Sequence, residues 1–285
     1  MSDTLEFAAP SLPSPASGGG KGGGSAAWGR TASALRVALG VVAFFLILEL
    51  ITSLGLVPAI YLPRASTVVE RMAELMVDPK FLKQILATLE AWAVGLALAT
   101  LISVPIGILI GTSEPAYKMS SPVIEFMRPI PSVALIPLAI LLWGQGFSMK
   151  VILVAYAAAW PILFNTVYGV HDVDPIAVET ARCFGLKRRS MLWRICLPSA
   201  APLIFTGIRI SASIGLIVVI GSELLASTDS GIGSYILFVS LNGGHMDSVL
   251  AGAAIAGIVG VLINWLLGLI DRRLFAWRYL GATAR

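Results

Sequence analysis

The residue types able to do covalent chemistry are few and scattered. Cys183 and Cys196 are the two cysteines, and neither forms a CxxC pair or a cysteine–histidine set at metal-ligand spacing. His171 and His245 are separated by a whole apolar run, which argues against shared catalysis. There is no His-Glu-x-x-His and no Gly-x-Ser-x-Gly, so a membrane-embedded hydrolase or metalloenzyme finds no support. The run from Gly18 to Ser25 contains Lys21, but Gly22 follows it where a phosphate loop needs Ser or Thr, and no strand precedes it. The chain is therefore expected to bind no ATP, metal or other cofactor itself. What remains are isolated polar groups on apolar runs. Asn165, Arg209, Ser213 and Glu223 could line the path of a solute, with Arg209 at an inner gate or attracting an anion. Hydrogen bonds that pack a helix bundle explain them equally well.

One polar segment is far more patterned, from Asp174 to Pro198. Asp174 can accept from the free amides of a first helical turn, and Pro175 loses nothing at the first helical position. Ile176, Ala177, Thr180, Ala181 and Phe184 recur at helical spacing, and Gly185 stands where a left-handed residue ends a helix. Lys187, Arg188 and Arg189 then open a second short helix through Met191, Leu192 and Ile195, which Pro198 is expected to close. The macrodipole disfavours cations at that helix start, so local helix stability did not place them. Lipid headgroups, the positive-inside bias or an acidic partner could each account for them.

Glu179-x-Ala181, three residues, Gly185, nine residues, Ile195-x-Leu197-Pro198 resembles the EAA loop of ATP-binding-cassette (ABC) importer permeases. Thr180 stands where that family usually has Ala, a small-for-small change. The resemblance implies that Glu179, Thr180, Ala181, Phe184, Gly185, Leu186, Ile195, Leu197 and Pro198 dock a cytosolic ATPase. Ala181 and Gly185 would allow close approach, Leu186 would supply bulk, and Glu179 a polar contact. Weaker likeness extends over residues 60 to 275 through Leu62-Pro63, the prolines of the third apolar run, and Gly221-Ser222-Glu223 before Gly231-Ile232-Gly233. That pattern is similar to the nitrate, sulfonate and taurine branch. It implies a homodimeric pore with two cytosolic ATPase subunits that bind ATP and Mg, fed by a periplasmic or lipid-anchored solute-binding protein.

The elements that must position these residues are apolar runs. Of 285 residues, 57% are hydrophobic and only 13% charged, which excludes an ordinary soluble composition. The basic balance belongs beside apolar runs rather than to a basic-aromatic surface, so membrane orientation explains it and nucleic-acid binding is not expected. The expected fold is an all-α membrane protein with six transmembrane helices near residues 35–56, 84–111, 122–143, 150–170, 199–226 and 248–270. The cytosolic coupling loop, residues 171–198, lies between helices four and five. A Gly/Pro/Ser-rich flexible tail is expected at 1–33, the permease domain at 34–275 and a short cytosolic tail at 276–285.

Pro129, Pro131 and Pro137 interrupt the third run, which places it inside the bundle where freed backbone groups find partners. Glu125 and Arg128 are expected to pair on it. Gly207, Ser211 and Gly215 on the fifth run, and Gly252, Ala256, Gly260, Asn264 and Gly268 on the sixth, make small stripes suited to close packing. Arg182, Lys187, Arg188, Arg189 and Arg194 lie in the loop, while residues 228–247 contain no Lys or Arg. The positive-inside rule thus puts the loop and both termini in the cytosol of a bacterium, with the chain in its inner membrane. An ion-coupled carrier or channel is the alternative, and its mark, paired broken helices in two repeats, is not visible.

Overall fold

The computed structural model describes residues 61–127, 130–226, 230–243 and 245–277, with residues 39, 40, 43, 46, 47, 49–55 and 58 before them. Two compact units are present, Met1–Leu50 and Ile51–Arg285. In the first, the described positions between 39 and 50 are helical. The expected first span lies largely outside the described residues, as do the two tails and Arg128, the expected partner of Glu125.

The second unit is all helix among its described residues. In chain order we label α1 (Ala65–Val77), α2 (Pro79–Gly111), α3 (Glu114–Met127), α4 (Ile136–Trp143, after a 3-10 turn at Ser132–Leu135), α5 (Phe147–His171), α6 (Pro175–Cys183), α7 (Arg188–Met191), α8 (Leu197–Ala226), α9 (Ile232–Leu241) and α10 (Met246–Leu274). Among the described residues, four helices are long and apolar enough to cross a membrane: α2, α5, the continuous run Arg188–Ala226, and α10. The α3 and α4 segments count as a fifth if taken as one bent span, with a 77° bend between them.

Small residues set the packing. A Cβ added at Gly95 would lie 2.7 Å from Val154, and one at Gly107 would lie 2.6 Å from Thr166, so α2 and α5 run parallel at near backbone contact. The fifth-run stripe faces α5 in the opposite sense. Gly207 abuts Asn165 and the Pro161 carbonyl, the Ser211 hydroxyl donates to the Ala158 carbonyl at 2.7 Å, and Gly215 abuts Val154. Trp92 of α2 donates from its indole to the Ala212 carbonyl of α8 at 2.8 Å, closing a three-helix core. On α10, Gly252 meets Ile236 of α9, Gly260 meets Leu216 of α8, and Gly268 faces the Arg209 guanidinium. Both stripes therefore serve packing within the chain.

The amphipathic helix α1 closes the end of the bundle where α2 begins. Leu75 of α1, Phe81 of α2, Ile232 and Ile236 of α9, and Ala251 and Ile255 of α10 form one apolar cluster. At its edge the Arg71 guanidinium donates from Nε to the Ser248 hydroxyl at 2.8 Å and also binds Glu74. The hydrogen bond to Glu74 raises the Arg71 guanidinium above its ordinary value.

Three features differ from the sequence expectation, and a fourth, the break in the third span, follows it. The stretch between the second and third expected spans is already helical: α3 begins at Glu114, and a Glu114–Lys118 ion pair at 3.1 Å closes its first turn. The third span is broken as its prolines lead one to expect, because Pro131 and Pro137 deny it the amides needed to stay straight. A further helix, α9, lies between the fifth and sixth expected spans. Finally, Pro198 does not close the loop's second helix. Leu192–Cys196 form a π-turn in which the Leu197 amide reaches back to the Leu192 carbonyl, and α8 follows without a break. The widened turn carries the backbone past the proline ring, which has no amide to satisfy.

Candidate functional site

The loop between α5 and α8 is built from its caps inward. Asp174 Oδ1 accepts from the Ile176 amide at 2.9 Å, fixing the start of α6. At the other end Gly185 has a φ of +75°; its amide donates to the Arg182 carbonyl at 2.9 Å, and the Leu186 amide donates to the Ala181 carbonyl at 3.1 Å. This pair of bonds is the Schellman arrangement, and it needs a left-handed residue at the position Gly185 occupies. Arg182 lies in the last turn, where the helix dipole favours a cation.

The capped helix has two unlike sides. Ala181 is 5% exposed and is turned away from the surface, so the close approach it permits is within the chain. Ile176 and Phe184 are 71% and 80% exposed, and Thr180 lies between them at four-residue spacing on the same stripe. Its hydroxyl folds back onto the Ile176 carbonyl at 2.7 Å, which leaves the stripe with an almost apolar outer surface. Two large apolar side chains, Ile176 on the helix and Phe184 at its C-cap, are thus held outward from the loop. Behind α6 a cavity of about 660 Å³ is walled by Gly111 and Thr112 of α2, Val170 and His171 of α5, Glu179 and Arg182 of α6, Arg188 and Arg189 of α7, and Cys196. Glu179 and three guanidinium groups thus line the gap between α6 and the ends of the spans. Leu186, Ile195 and Leu197 are half-buried, and Pro198 is exposed.

The loop is joined to its spans at both ends. His171, the last residue of α5, stacks on Tyr117 of α3 with ring centres 4.0 Å apart and planes within 11°. Its Nε2 lies 3.8 Å from Glu114 Oε2. That contact ties the first arm of the broken span to the point where the loop begins. At the other end α7 passes into α8 through the π-turn.

The path candidates fall in different places. Asn165 Nδ2 donates to the Pro161 carbonyl at 2.8 Å, one turn back on the same helix. Arg209 Nε donates to Asn264 Oδ1 of α10 at 2.9 Å. Ser213 and Asn264 share an open, mostly apolar groove of about 600 Å³ between α8 and α10. Glu223 is elsewhere, at the end of the bundle far from the loop, and is 0% exposed.

Around Glu223 lies a polar knot that sequence reasoning did not assemble. Lys150 Nζ, whose side chain is 2% exposed, donates to Glu223 Oε1 at 3.1 Å and to the Ser230 carbonyl at 2.7 Å. Thr88 Oγ1 lies 3.0 Å from both carboxylate oxygens and accepts from the Ile232 amide at 2.9 Å. Glu223 Oε2 accepts from the Gly233 amide at 3.0 Å, and Gln84 Oε1 accepts from the Gly231 amide. The leading amides of α9, which have no partners within the helix, are thus satisfied by side chains of α2 and α8, with the carboxylate at the positive end of the α9 dipole. Lys150 stands at the edge of an apolar run, where a basic residue reads as an interface anchor. Only the contact with Glu223 reveals its role.

Comparisons with known proteins agree on one family. The family described as binding-protein-dependent transport system inner membrane component matches residues 103–276. The taurine transport system permease protein TauC of Escherichia coli strain K12 is 30% identical over 235 residues, covering 80% of this chain and 84% of that protein. The nitrate import permease protein NrtB of Leptolyngbya laminosa is 29% identical over 219 residues, covering 74% and 78%. Among solved structures, a chain of the inward-facing MetNI methionine ABC transporter superposes with a TM-score of 0.58 at 19% identity, covering 68% of this chain and 95% of that one. A chain of the bacterial alginate ABC transporter, solved in complex with an alginate pentasaccharide-bound periplasmic protein, gives 0.60 at 17% identity, covering 86% and 96%. These last two share the fold. With the family match over most of the chain and the permease relatives, the chain belongs to the binding-protein-dependent transport system inner membrane component family: it is a multi-pass transmembrane permease subunit of an ABC importer.

Proposed function

We propose that the α6 loop is the handle by which a separate cytosolic ATPase dimer, carrying the ATP and Mg, drives this permease. The observation that supports the reading is the capped helix α6, with Ile176 and Phe184 held outward at the junction of two long spans. A groove on the partner would cover that stripe. ATP-driven closure of the ATPases would then move α6, and the rigid joins to α5 and α8 would tilt both spans and, through His171 and Tyr117, the broken third span. Six spans make up the subunit on this reading. The first comes from residues 35–56, and α3 with α4 forms the third. The loop and both termini lie in the cytosol of a bacterial inner membrane, a second copy completes the pore, and a periplasmic or lipid-anchored solute-binding protein delivers cargo. No nucleic acid is involved.

The solute class follows from the relatives. Those named for taurine, nitrate and bicarbonate carry small molecules bearing a sulfonate or another oxyanion group, and we propose the same class here. Arg209, anchored through Nε to Asn264, leaves its outer guanidinium nitrogens free of that bond to meet such a group. The test is uptake into proteoliposomes containing the permease, the ATPase and the binding protein encoded beside it. Radiolabelled taurine, an alkanesulfonate and nitrate serve as cargoes. Import that requires ATP, the ATPase and the binding protein together is expected. Import driven by an ion gradient with the ATPase omitted would overturn the reading in favour of an ion-coupled carrier.

A further inference from the structure

The knot around Glu223 is far more elaborate than the packing of α9 requires. A ten-residue apolar helix against α1 and α10 already has Ile232 and Ile236 in the apolar cluster. Yet two full charges are enclosed with it, and taking a carboxylate and an ammonium out of water weakens or cancels the gain from pairing them unless every other bond is made. Here they are made. Both Glu223 oxygens are engaged, by Lys150, Thr88 and the Gly233 amide, and Lys150 also has the Ser230 carbonyl. Such a network suits a connection whose geometry must be single-valued. It joins α2 (Thr88, Gln84), α5 (Lys150), α8 (Glu223) and the start of α9 at the mouth opposite the loop.

We infer that Lys150, Glu223 and Thr88 are positioning residues for transport: they lock α9 to the far ends of the spans that the loop drives. The lock makes the α8–α9 hairpin follow α5 and α2 as one body. Movement imposed at His171 and at the π-turn is then expressed at the opposite mouth instead of being absorbed by slack between α8 and α9. Neither charge meets the solute. The charges act by holding a helix that shapes the opening.

The inference rests on the importer reading, and its test separates the two. In the same proteoliposomes, Glu223→Gln, Lys150→Met and the double variant Lys150→Met/Glu223→Gln are compared, with every rate normalised to the amount of assembled complex. Solute imported per ATP hydrolysed is the readout. Each single variant leaves one buried group without its counter-charge and is expected to lower that ratio at least about tenfold. The double variant removes both charges, and the ratio should return to within about threefold of the unaltered protein. Single variants that import at the unaltered ratio would overturn the inference. So would a double variant no better than the worse single one. If the unaltered complex imports nothing, the importer reading itself has failed.

Discussion

Replacing Gly185 with glutamate is expected to leave the permease in the membrane and to strip it of its ATPase. Nothing lies within 4 Å of a side chain built at Gly185, so the substitution causes no collision. The φ of +75° imposes left-handed strain of about 1–2 kcal/mol, and a negative charge at the end of α6 adds about 0.3–1 kcal/mol against the dipole. Four interlocked spans can absorb that local cost. The docking surface cannot, because the new carboxylate projects beside Phe184, the most exposed apolar group of the stripe. Burying an unpaired charge in a protein interface costs about 2 kcal/mol or more, roughly thirtyfold in affinity. Affinity purification of the tagged permease from detergent extracts should recover normal amounts of permease with the ATPase reduced at least about tenfold. Normal ATPase recovery with normal transport would count against α6 as the docking element.

A larger effect on folding is expected at Gly231. Both glycines have positive φ, but a Cβ at Gly231 would lie 2.1 Å from the Glu223 carboxylate. Glu223 cannot step aside without surrendering Thr88, Lys150 and the Gly233 amide, so Gly231→Val must break the knot or displace α9. Displacing α9 strips the ion pair of the Ser230 carbonyl and the Gly233 amide, and breaking the knot leaves Lys150 buried without a counter-charge, a penalty of about 3–5 kcal/mol. That is comparable to the whole stability of many domains. Gly185→Ala costs only the backbone strain. Thermal unfolding of detergent-solubilised protein, followed by its seven tryptophans, should show Gly185→Ala within a few degrees of the unaltered chain and Gly231→Val strongly destabilised or not recovered. Equal stabilities would mean that the Glu223 carboxylate has another place to go.

Local chemistry is legible in this sequence where one residue decides one bond. Asp174 caps α6 and Gly185 ends it as their types and spacing require, because both signals act within a single turn. The long spans were legible for the same reason, since an apolar run of sufficient length states its own case. What was hidden depends on residues distant in the chain. The α9 helix is too short to announce a span, and its start is set by Gln84, Thr88 and Glu223, which lie far before it or on another helix. Lys150 and Glu223 are separated by 73 positions, and neither alone points to the other. Pro198 was misleading because its ordinary effect on a helix is relieved by a π-turn that no local preference signals. Within the loop, helical spacing grouped Ile176, Ala177, Thr180, Ala181 and Phe184, and the structure divides that set, burying Ala181 and turning Ile176, Thr180 and Phe184 outward.

The most direct test of the docking account is a photo-activated cross-link from the outward stripe. Phe184 is replaced by a benzoyl-substituted phenylalanine, which keeps the ring in its exposed position, and native membranes are irradiated before the permease is purified and its adducts identified by mass spectrometry. The account predicts a dominant adduct with a nucleotide-hydrolysing subunit, lost when Gly185→Glu is added. Adducts confined to lipid, or to a protein on the outer face of the membrane, would contradict it.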